Sequence, residues 1–284
     1  MNLSSDSSES ILAGLYCEAA RRLGNQMATL TVARVSVGIF FTGVKLSNGS
    51  GGLSATPVKS MPAAVCCTSS AAALPSPGKL RGMPVVRLLE DLHRPYPIRR
   101  AIAIAALNAV IETIWRLDEA ALPFGSPVEG DAFELLKISA ASRVALVGAF
   151  PPYIRELRKR GQDFKILELD PSVLKPAEMP YYAPADTADQ VIPWADIIIT
   201  TGTTLINDTL DGLLSYARPS AQIAVIGPTT PLLPAPFIQR GVTLIGGCRV
   251  NHADELLDVL AEGASGYHFF GKSVERISLA FSPS

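Results

Sequence analysis

Apolar residues near the start of the chain recur every three or four positions, which is the spacing of an amphipathic helix. The pattern covers residues 11–23. Ser8 or Ser10 before it supplies a cap, and Gly24 after it supplies a stop. The sequence therefore predicts a first helix before a β-rich segment.

A strand pattern follows this helix. Residues 31–42 alternate between apolar and polar side chains and are rich in β-branched types, and a second strand over residues 43–46 continues the pattern. Residues 48–52 read Asn-Gly-Ser-Gly-Gly, which is typical of a tight turn between antiparallel strands. Residues 53–56 then form the return strand, so we predict an antiparallel hairpin or meander.

Two helices are predicted after these strands, over about 85–92 and from Pro97 to Trp115. Strands followed by helices are typical of an α+β domain. Residues 122–127 read Leu-Pro-Phe-Gly-Ser-Pro, a composition typical of a linker. We therefore predict a first, smaller α+β domain over residues 1–122.

From residue 123 onward, short and uniformly apolar strands alternate with helices. The strands are predicted at residues 143–148, 164–170, 196–200, 222–227 and 242–247. Strands that are apolar on both faces are typical of a parallel sheet covered by helices. We therefore predict an α/β fold in which a Rossmann-like parallel sheet domain occupies residues 123–284.

Composition narrows the classes of function. Of the 284 residues 48% are hydrophobic and the formal net charge is −1, so the chain lacks the basic excess that nucleic acids and anionic membranes attract. The most apolar helical stretch, residues 101–111, is shorter than the roughly 20 residues of a membrane span. The polar first ten residues lack the pattern of a signal peptide. We expect a cytoplasmic protein with no nucleic-acid or membrane partner.

Ligands of open parallel sheets bind beyond the carboxyl ends of the strands, so the residues that end each strand are candidates. Gly148 ends the first strand, but Phe150 and two prolines follow it where a dinucleotide fingerprint needs glycine, and prolines offer no amide to a phosphate. Asp170 ends the second predicted strand, where a ribose-binding acid stands in dinucleotide folds. A turn cap before the next proline is the alternative for Asp170.

A hydroxyl-rich segment ends the third predicted strand. It carries Thr201, Gly202, Thr203, Thr204 and Asn207 just before a predicted helix. Exposed amides and hydroxyls there suit a carboxylate, a phosphate or a polarised metabolite. A helix cap explains one of these residues but not all five. We therefore favour a binding site at this strand end.

A second hydroxyl-rich turn ends the fourth predicted strand. It reads Gly227, Pro228, Thr229 and Thr230, in which the proline fixes the backbone and the glycine permits close approach. An ordinary connecting loop is the alternative when the turn is taken alone. Because it neighbours the third strand end, we expect it to present two hydroxyls into the same crevice.

The smaller domain offers two further candidates. Thr42 ends a strand, and Asn108 interrupts an otherwise apolar helix. A buried amide in such a helix either finds a local backbone partner or faces a cavity. We keep both residues as candidates that would close a site from the first domain.

Metal ligands are sparse. Cys66 and Cys67 are adjacent, which does not match the C-x₂-C spacing of structural zinc. Cys248 ends the last predicted strand and His252 follows four residues later, which would bring a thiol and an imidazole near the crevice. A small buried cysteine is the more common outcome. These four residues are the candidate ligands for a divalent or heavy metal ion.

Five stretches of the chain together resemble a bacterial and archaeal family described as "putative heavy-metal chelation" proteins. They are residues 38–44, 51–56, 144–148, 196–207 and 225–232. The resemblance implies an atypical Rossmann-like domain preceded by an enolase N-terminal-like domain. It also implies a site in the cleft between the two domains, and a homodimer. No carboxylate-bearing barrel is present, so enolase chemistry does not transfer.

Three hypotheses remain open from the sequence. The first is a protein that binds a small anionic or metal-associated ligand, which includes heavy-metal chelation. The second is an enzyme, a transferase or oxidoreductase, that uses a nucleoside cofactor such as S-adenosylmethionine or NAD. The third is a metal-binding scaffold. No general base with an evident partner emerges, so the sequence does not distinguish catalysis from binding.

Overall fold

The computed structural model describes residues 10–60, 76–117, 128–129 and 131–281. The described helices are α1 (Ile11–Leu23), α2 (Asn25–Thr29), α3 (Val85–Leu89), α4 (Pro97–Leu117), α5 (Pro151–Lys159), α6 (Ala188–Trp194), α7 (Leu210–Ser215), α8 (Ala235–Ile238), α9 (Ala253–Ala261) and α10 (Gly266–Phe269). The strands are β1 (Val32–Val37), β2 (Phe41–Leu46), β3 (Gly51–Ala55), β4 (Val128–Glu129), β5 (Arg143–Val147), β6 (Asp163–Glu168), β7 (Tyr182–Pro184), β8 (Ile197–Thr201), β9 (Gln222–Ile226), β10 (Leu244–Val250) and β11 (Val274–Ala280).

The chain divides by its internal contacts into two compact units. The first comprises Met1–Pro123, Ala235–Phe237 and Arg249–Glu275, and the second comprises Phe124–Pro234, Ile238–Cys248 and Arg276–Ser284. The division into domains 1–122 and 123–284 stays a prediction. The contact-based units differ from it because α9, which follows the parallel strands in sequence, packs on the antiparallel strands of the first unit.

The first unit is an antiparallel sheet covered by helix α4. The strand order is β1-β2-β3, and both neighbouring pairs are antiparallel. Almost every residue of α4 is buried, and its backbone lies against β3 so closely that a Cβ at Gly52 would stand 2.1 Å from the carbonyl oxygen of Ala105. Only glycine allows this approach of strand to helix.

Two local predictions for this unit have clear outcomes. Ser10 caps α1, since the Ala13 amide donates to its hydroxyl, and Gly24 ends that helix, as the sequence predicts. The single strand expected over residues 31–42 is wrong, because the chain reverses between β1 and β2 at residues 38–40. Ile39 and Phe40 are apolar yet exposed in this turn, so they continue a strand pattern where no strand exists.

The second unit is built on an eight-stranded sheet, in the order β4-β11-β10-β9-β8-β5-β6-β7. The pairs from β10 across to β7 are parallel, and β4 pairs antiparallel with β11. The central strands are buried and helix α5 packs on them through Ile154 and Leu157. The predicted α/β fold class, a parallel sheet domain preceded by a smaller α+β domain, is confirmed.

Some elements of the second unit escape sequence prediction. Residues 132–135 form only a short 3₁₀ turn. Strand β7 has three residues and helix α6 contains Pro193, so neither shows a usable period. Among the described residues, no helix combines the length and apolarity that would let it cross a membrane.

Candidate functional site

The order of the sheet reverses between β5 and β8. From β5 the chain moves through β6 to β7 at one edge, and then returns to the other side of β5 with β8, β9 and β10. In open parallel sheets, ligands bind beyond the carboxyl ends of the strands that flank such a reversal. The loops after β5, β6 and β8 are therefore the place to search.

A cavity of about 150 Å³ lies at these three strand ends. Its lining residues are Val147, Gly148, Leu167, Glu168, Leu169, Ala185, Thr201, Thr203, Thr204, Asn207, Thr209 and Leu213. Five residues predicted from the sequence are thus brought together, namely Gly148, Thr201, Thr203, Thr204 and Asn207. The walls are largely apolar and a few polar groups converge on them, which is typical of small-molecule sites.

Gly148 makes the turn that opens the cavity beside β5. Its φ of +98° is a conformation that other residues rarely adopt, and a Cβ there would stand 2.9 Å from Cγ2 of Thr201. Its amide donates to the carbonyl oxygen of Leu167 at 2.8 Å, which ties the turn to β6. Pro151 and Pro152 occupy the first positions of α5, so these two positions offer no amide hydrogen to a phosphate.

The last residue of this turn, Phe150, belongs to a stack of three aromatic rings. Phe150 stacks on Tyr153 with ring centroids 5.1 Å apart, and Tyr153 stacks on Phe133 at 4.5 Å. The Tyr153 hydroxyl donates to the carboxylate of Asp131. Burial of the ring and this hydrogen bond together raise the pKa of Tyr153 far above its ordinary value, so the phenol stays protonated and keeps its hydrogen bond.

Glu168 is a functional candidate that the sequence analysis missed. It is the last residue of β6 and lines the cavity. Its Oε2 accepts a hydrogen bond from the Ala149 amide at 2.9 Å, and its Oε1 accepts from the amides of Leu169 and Asp170 at 2.9 and 3.2 Å. Its position at the end of the second parallel strand is where dinucleotide folds place a ribose-binding acid.

The sequence predicts Asp170 as the ribose-binding acid, but Asp170 lies two residues beyond the end of β6. Its Oδ1 accepts from the Ser172 amide at 3.0 Å and so caps the 3₁₀ turn Pro171–Val173, and Asp170 is not among the residues that line the cavity. The acidic residue could have been placed correctly only by recognising that β6 ends before Leu169. That leucine is apolar but 72% exposed, and it extends the strand pattern past its true end.

The segment after β8 is a 3₁₀ turn, Gly202–Leu205, and helix α7 begins later, at Leu210. The turn holds itself together: Thr201 Oγ1 accepts from the hydroxyl of Thr203 at 3.2 Å, and the Thr204 hydroxyl donates to the carbonyl of Thr201 at 2.7 Å. Asn207 Oδ1 accepts from the hydroxyl of Thr209 at 2.8 Å. That bond leaves the two amide hydrogens of the Asn207 side chain for other acceptors.

The turn after β9 does not present its hydroxyls to this cavity. Thr229 and Thr230 are each only 1% exposed, and the Thr230 amide closes a turn on the Gly227 carbonyl at 2.9 Å. The turn packs directly on the preceding loop, since a Cβ at Gly202 would stand 2.6 Å from the Thr230 hydroxyl oxygen. The structure therefore buries the two hydroxyls that we expected in the crevice, while Gly227 and Pro228 are half-buried and outside the cavity lining.

Thr42 and Asn108 both have local partners in the first unit. The Thr42 hydroxyl lies 2.8 Å from that of Thr56, and Thr42 is fully buried. The Asn108 side chain donates to the Leu53 carbonyl at 2.8 Å, which links α4 to β3. Their role in a ligand site stays a prediction, while their role in packing is visible.

The candidate metal ligands do not form a cluster in the described part of the chain. The Cys248 thiol is half-buried and donates weakly to the Pro228 carbonyl at 3.7 Å, while His252 is exposed at the start of α9. Within the described residues, no group of three or more His, Cys, Asp or Glu side chains stands close enough to hold a metal. Cys66 and Cys67 lie outside the described residues.

Two solved structures with this fold are described as proteins of unknown function. A protein of unknown function from the DUF364 family of Pyrococcus horikoshii superposes with a TM-score of 0.75 at 20% identity, covering 95% of this chain and 99% of that one. One from Desulfitobacterium hafniense superposes with a TM-score of 0.72 at 18% identity, over 94% and 99%. These likenesses show the fold alone.

Sequence comparison identifies the family. An uncharacterised protein of Methanocaldococcus jannaschii is 29% identical over 179 residues, which span 62% of this chain and 64% of that protein. A family model described as "Putative heavy-metal chelation" matches residues 20–111. The DUF364 model, with the same description, matches residues 131–279, more than half of the chain. The chain therefore belongs to the DUF364 family.

Proposed function

We propose that this protein binds a small organic ligand in the cavity at the carboxyl ends of β5, β6 and β8. The observation that supports this most is the coincidence of the cavity with the reversal of strand order. The proposal rests on the second unit alone. It deepens the sequence hypothesis of a small-ligand-binding protein, because five residues named on chemical grounds line one space.

The shape and chemistry of the cavity favour a ligand with a hydroxylated ring. A cavity of about 150 Å³ is large enough for a group the size of benzene. Val147, Leu167 and Leu213 offer apolar contact to a ring. The Asn207 amide is a donor and the Glu168 carboxylate is an acceptor, so together they suit the hydroxyls of a sugar. A nucleoside joins a flat aromatic ring, whose faces suit apolar contact, to such a sugar, and is therefore the ligand class that we test first.

The heavy-metal chelation that the family description suggests does not fit the donors present in the described chain. Heavy metals prefer thiolate and imidazole ligands, and structural sites usually bring four together. Here Cys17 is exposed on α1, and Cys248 contacts a backbone carbonyl. The donors at the cavity are oxygens and an amide, which suit hard cations instead. We therefore derive no function through a protein-bound heavy metal.

The chelation hypothesis has a direct test of its own. Purified protein and a Cys248→Ser variant are compared by elemental analysis after incubation with Zn²⁺ and removal of excess metal. We expect both to retain less than stoichiometric metal. Stoichiometric zinc in the parent protein that is lost in the variant would restore the metal-scaffold hypothesis.

Calorimetric titration of the full chain with adenosine, S-adenosylmethionine and NAD tests the ligand class. We expect binding of adenosine or S-adenosylmethionine, and an Asn207→Ala variant should weaken it by about three- to tenfold, the effect of one lost hydrogen bond. Asn251, an exposed asparagine outside the cavity lining, provides the matched control, and Asn251→Ala should leave affinity unchanged. Failure of all three compounds to bind would overturn the nucleoside proposal.

A further inference from the structure

We propose that Glu168 sets the charge selectivity of this cavity, so that it accepts neutral or cationic ligands and excludes those with a phosphate at the β5 turn. This inference rests on the proposed function, since it concerns the same cavity. It changes the expectation of an anionic ligand that the sequence raised. Three features of the structure carry it, and each concerns a different part of the turn.

The first feature is the set of hydrogen bonds that the backbone amides of the turn after β5 already make. In nucleotide-binding sheets, a phosphate takes amides from the turn after the first strand and from the start of the next helix. Here the Ala149 amide donates to Glu168 Oε2 at 2.9 Å, and the Gly148 amide donates to the Leu167 carbonyl at 2.8 Å. The next helix begins with Pro151 and Pro152, which have no amide hydrogen. The carboxylate of this chain thus uses a donor that a phosphate would need.

The second feature is the fixed position of that carboxylate. Its other oxygen accepts from the amides of Leu169 and Asp170, at 2.9 and 3.2 Å. Three backbone donors therefore hold the group, so it cannot swing aside for a phosphate without breaking them. Each carboxylate oxygen has two acceptor sites, which leaves capacity for a ligand hydroxyl or a cation.

The third feature is the absence of a compensating positive charge at the cavity. Among its described lining residues, Glu168 is the only one with a charged side chain. The surrounding Val147, Leu167 and Leu213 are apolar and screen charges poorly compared with water. A phosphate placed beside Gly148 would therefore be repelled by the half-buried carboxylate of Glu168, whereas a cationic group would be attracted to it.

Adenosine and adenosine monophosphate form a matched pair of probes, because they share the ring and the sugar and differ by the phosphate. We expect the parent protein to bind adenosine at least about tenfold more tightly than the monophosphate in calorimetric titrations at low salt. Glu168→Gln removes the charge and should reduce this ratio to about two or less. Asp163→Asn, at the exposed opposite end of β6, is the control and should leave the ratio unchanged.

A second variant tests the charge without disturbing these hydrogen bonds. Leu169 lines the cavity and is 72% exposed, so a lysine there adds a positive charge at the rim at little structural cost. We expect Leu169→Lys to raise affinity for the monophosphate about tenfold and to leave adenosine affinity within twofold. This measurement keeps the inference testable if Glu168→Gln does not fold.

The outcomes separate the two proposals. Equal affinity of the parent protein for both probes would overturn charge selectivity and leave the ligand proposal standing. A Leu169→Lys variant with unchanged affinity for the monophosphate would also overturn it. If the parent protein binds neither probe, the inference about Glu168 fails. The nucleoside proposal fails as well only if S-adenosylmethionine and NAD also do not bind.

Discussion

The loops after β8 and β9 are similar in sequence but different in structure. Both follow a buried parallel strand, and both combine glycine with two or more threonines. After β8, Thr203 and Asn207 line a cavity, whereas after β9 both threonines are 1% exposed and packed away. A hydroxyl-rich strand end can thus reach a ligand only where neighbouring loops leave space in front of it, as at the site that we propose after β8.

The difference between these loops depends on two glycines. Gly148 holds the β5 turn in a left-handed conformation that keeps the cavity open beside Thr201. Gly202 lacks the Cβ that would collide with Thr230, so the β9 loop can close against the β8 loop. Gly148 keeps the cavity open, whereas Gly202 allows the β9 loop to pack against the β8 loop. The predictions below test this contrast, beginning with the largest expected effect.

Gly202→Ala should have the largest effect on stability. The new Cβ would lie 2.6 Å from the Thr230 hydroxyl oxygen and 2.9 Å from the Thr230 amide nitrogen, so backbone must move. We expect the free energy of unfolding to fall by about 1–3 kcal/mol, as for other overpacked interiors. Urea denaturation measures it.

Gly212 of α7 is the matched control for this substitution. A Cβ there meets nothing within 4 Å, and the residue lies inside a helix. Gly212→Ala should therefore stabilise the protein by about 0.5–1 kcal/mol. If both substitutions lower the free energy of unfolding equally, the contact between the β8 and β9 loops does not explain the effect of Gly202→Ala.

Thr230→Val should have a smaller effect of opposite sign. Within the described structure the buried Thr230 hydroxyl oxygen has no hydrogen-bond partner. Valine removes this polar group and keeps the shape, so the free energy of unfolding should stay the same or rise by up to about 1 kcal/mol. A loss of more than about 1 kcal/mol, measured by urea denaturation, would instead assign the hydroxyl a stabilising partner.

Asp196→Asn should have the smallest effect on stability. Asp196 precedes β8, at the end of the strand opposite to the Thr203 loop. Hydrogen bonds from the guanidinium groups of Arg143 and Arg218 and from the Arg143 amide lower the pKa of Asp196 below its ordinary 3.8. A carboxyl whose pKa is lowered by folding stabilises the protein above its ordinary pKa and loses that contribution as the pH falls.

The stability difference between Asp196→Asn and the parent should therefore be small and constant from pH 8 to about pH 5. It should disappear at more acidic pH, as the Asp196 carboxyl of the parent protein takes up its proton. The side chain is 39% exposed, so solvent screens the ion pairs and limits their contribution. Denaturation across this pH range measures it, and a difference that grows in acid would contradict the assignment.

The sequence correctly predicts the helices and strands whose apolar side chains recur at a regular spacing, and the helix end that a glycine marks. Helix α1 with its Ser10 cap and its end at Gly24, and the central parallel strands, follow from pattern alone. The errors arise where exposed apolar residues imitate a strand. Ile39 hides the reversal between β1 and β2, and Leu169 hides the end of β6 and with it Glu168.

The contrast between Thr203 and Thr230 lies beyond any local pattern. It depends on a contact between two loops that are 27 residues apart, which only the packing reveals. The predicted dimer and the predicted cytoplasmic location remain predictions. The family description points to metals, whereas the polar groups in the largely apolar cavity of the described chain are hydroxyls, one carboxylate and one amide.

The most direct test of the account compares Thr203→Val with Thr230→Val in calorimetric titrations with adenosine. Each variant removes one hydroxyl from one of the two loops. The Thr203 hydroxyl lines the cavity and donates to Thr201, so its acceptor sites are left for a ligand donor. We predict that Thr203→Val weakens binding by about three- to tenfold, the effect of losing that one hydrogen bond, and that Thr230→Val leaves it unchanged. Equal weakening by both variants, or loss of binding only in Thr230→Val, would contradict the assignment of the site to the β8 loop.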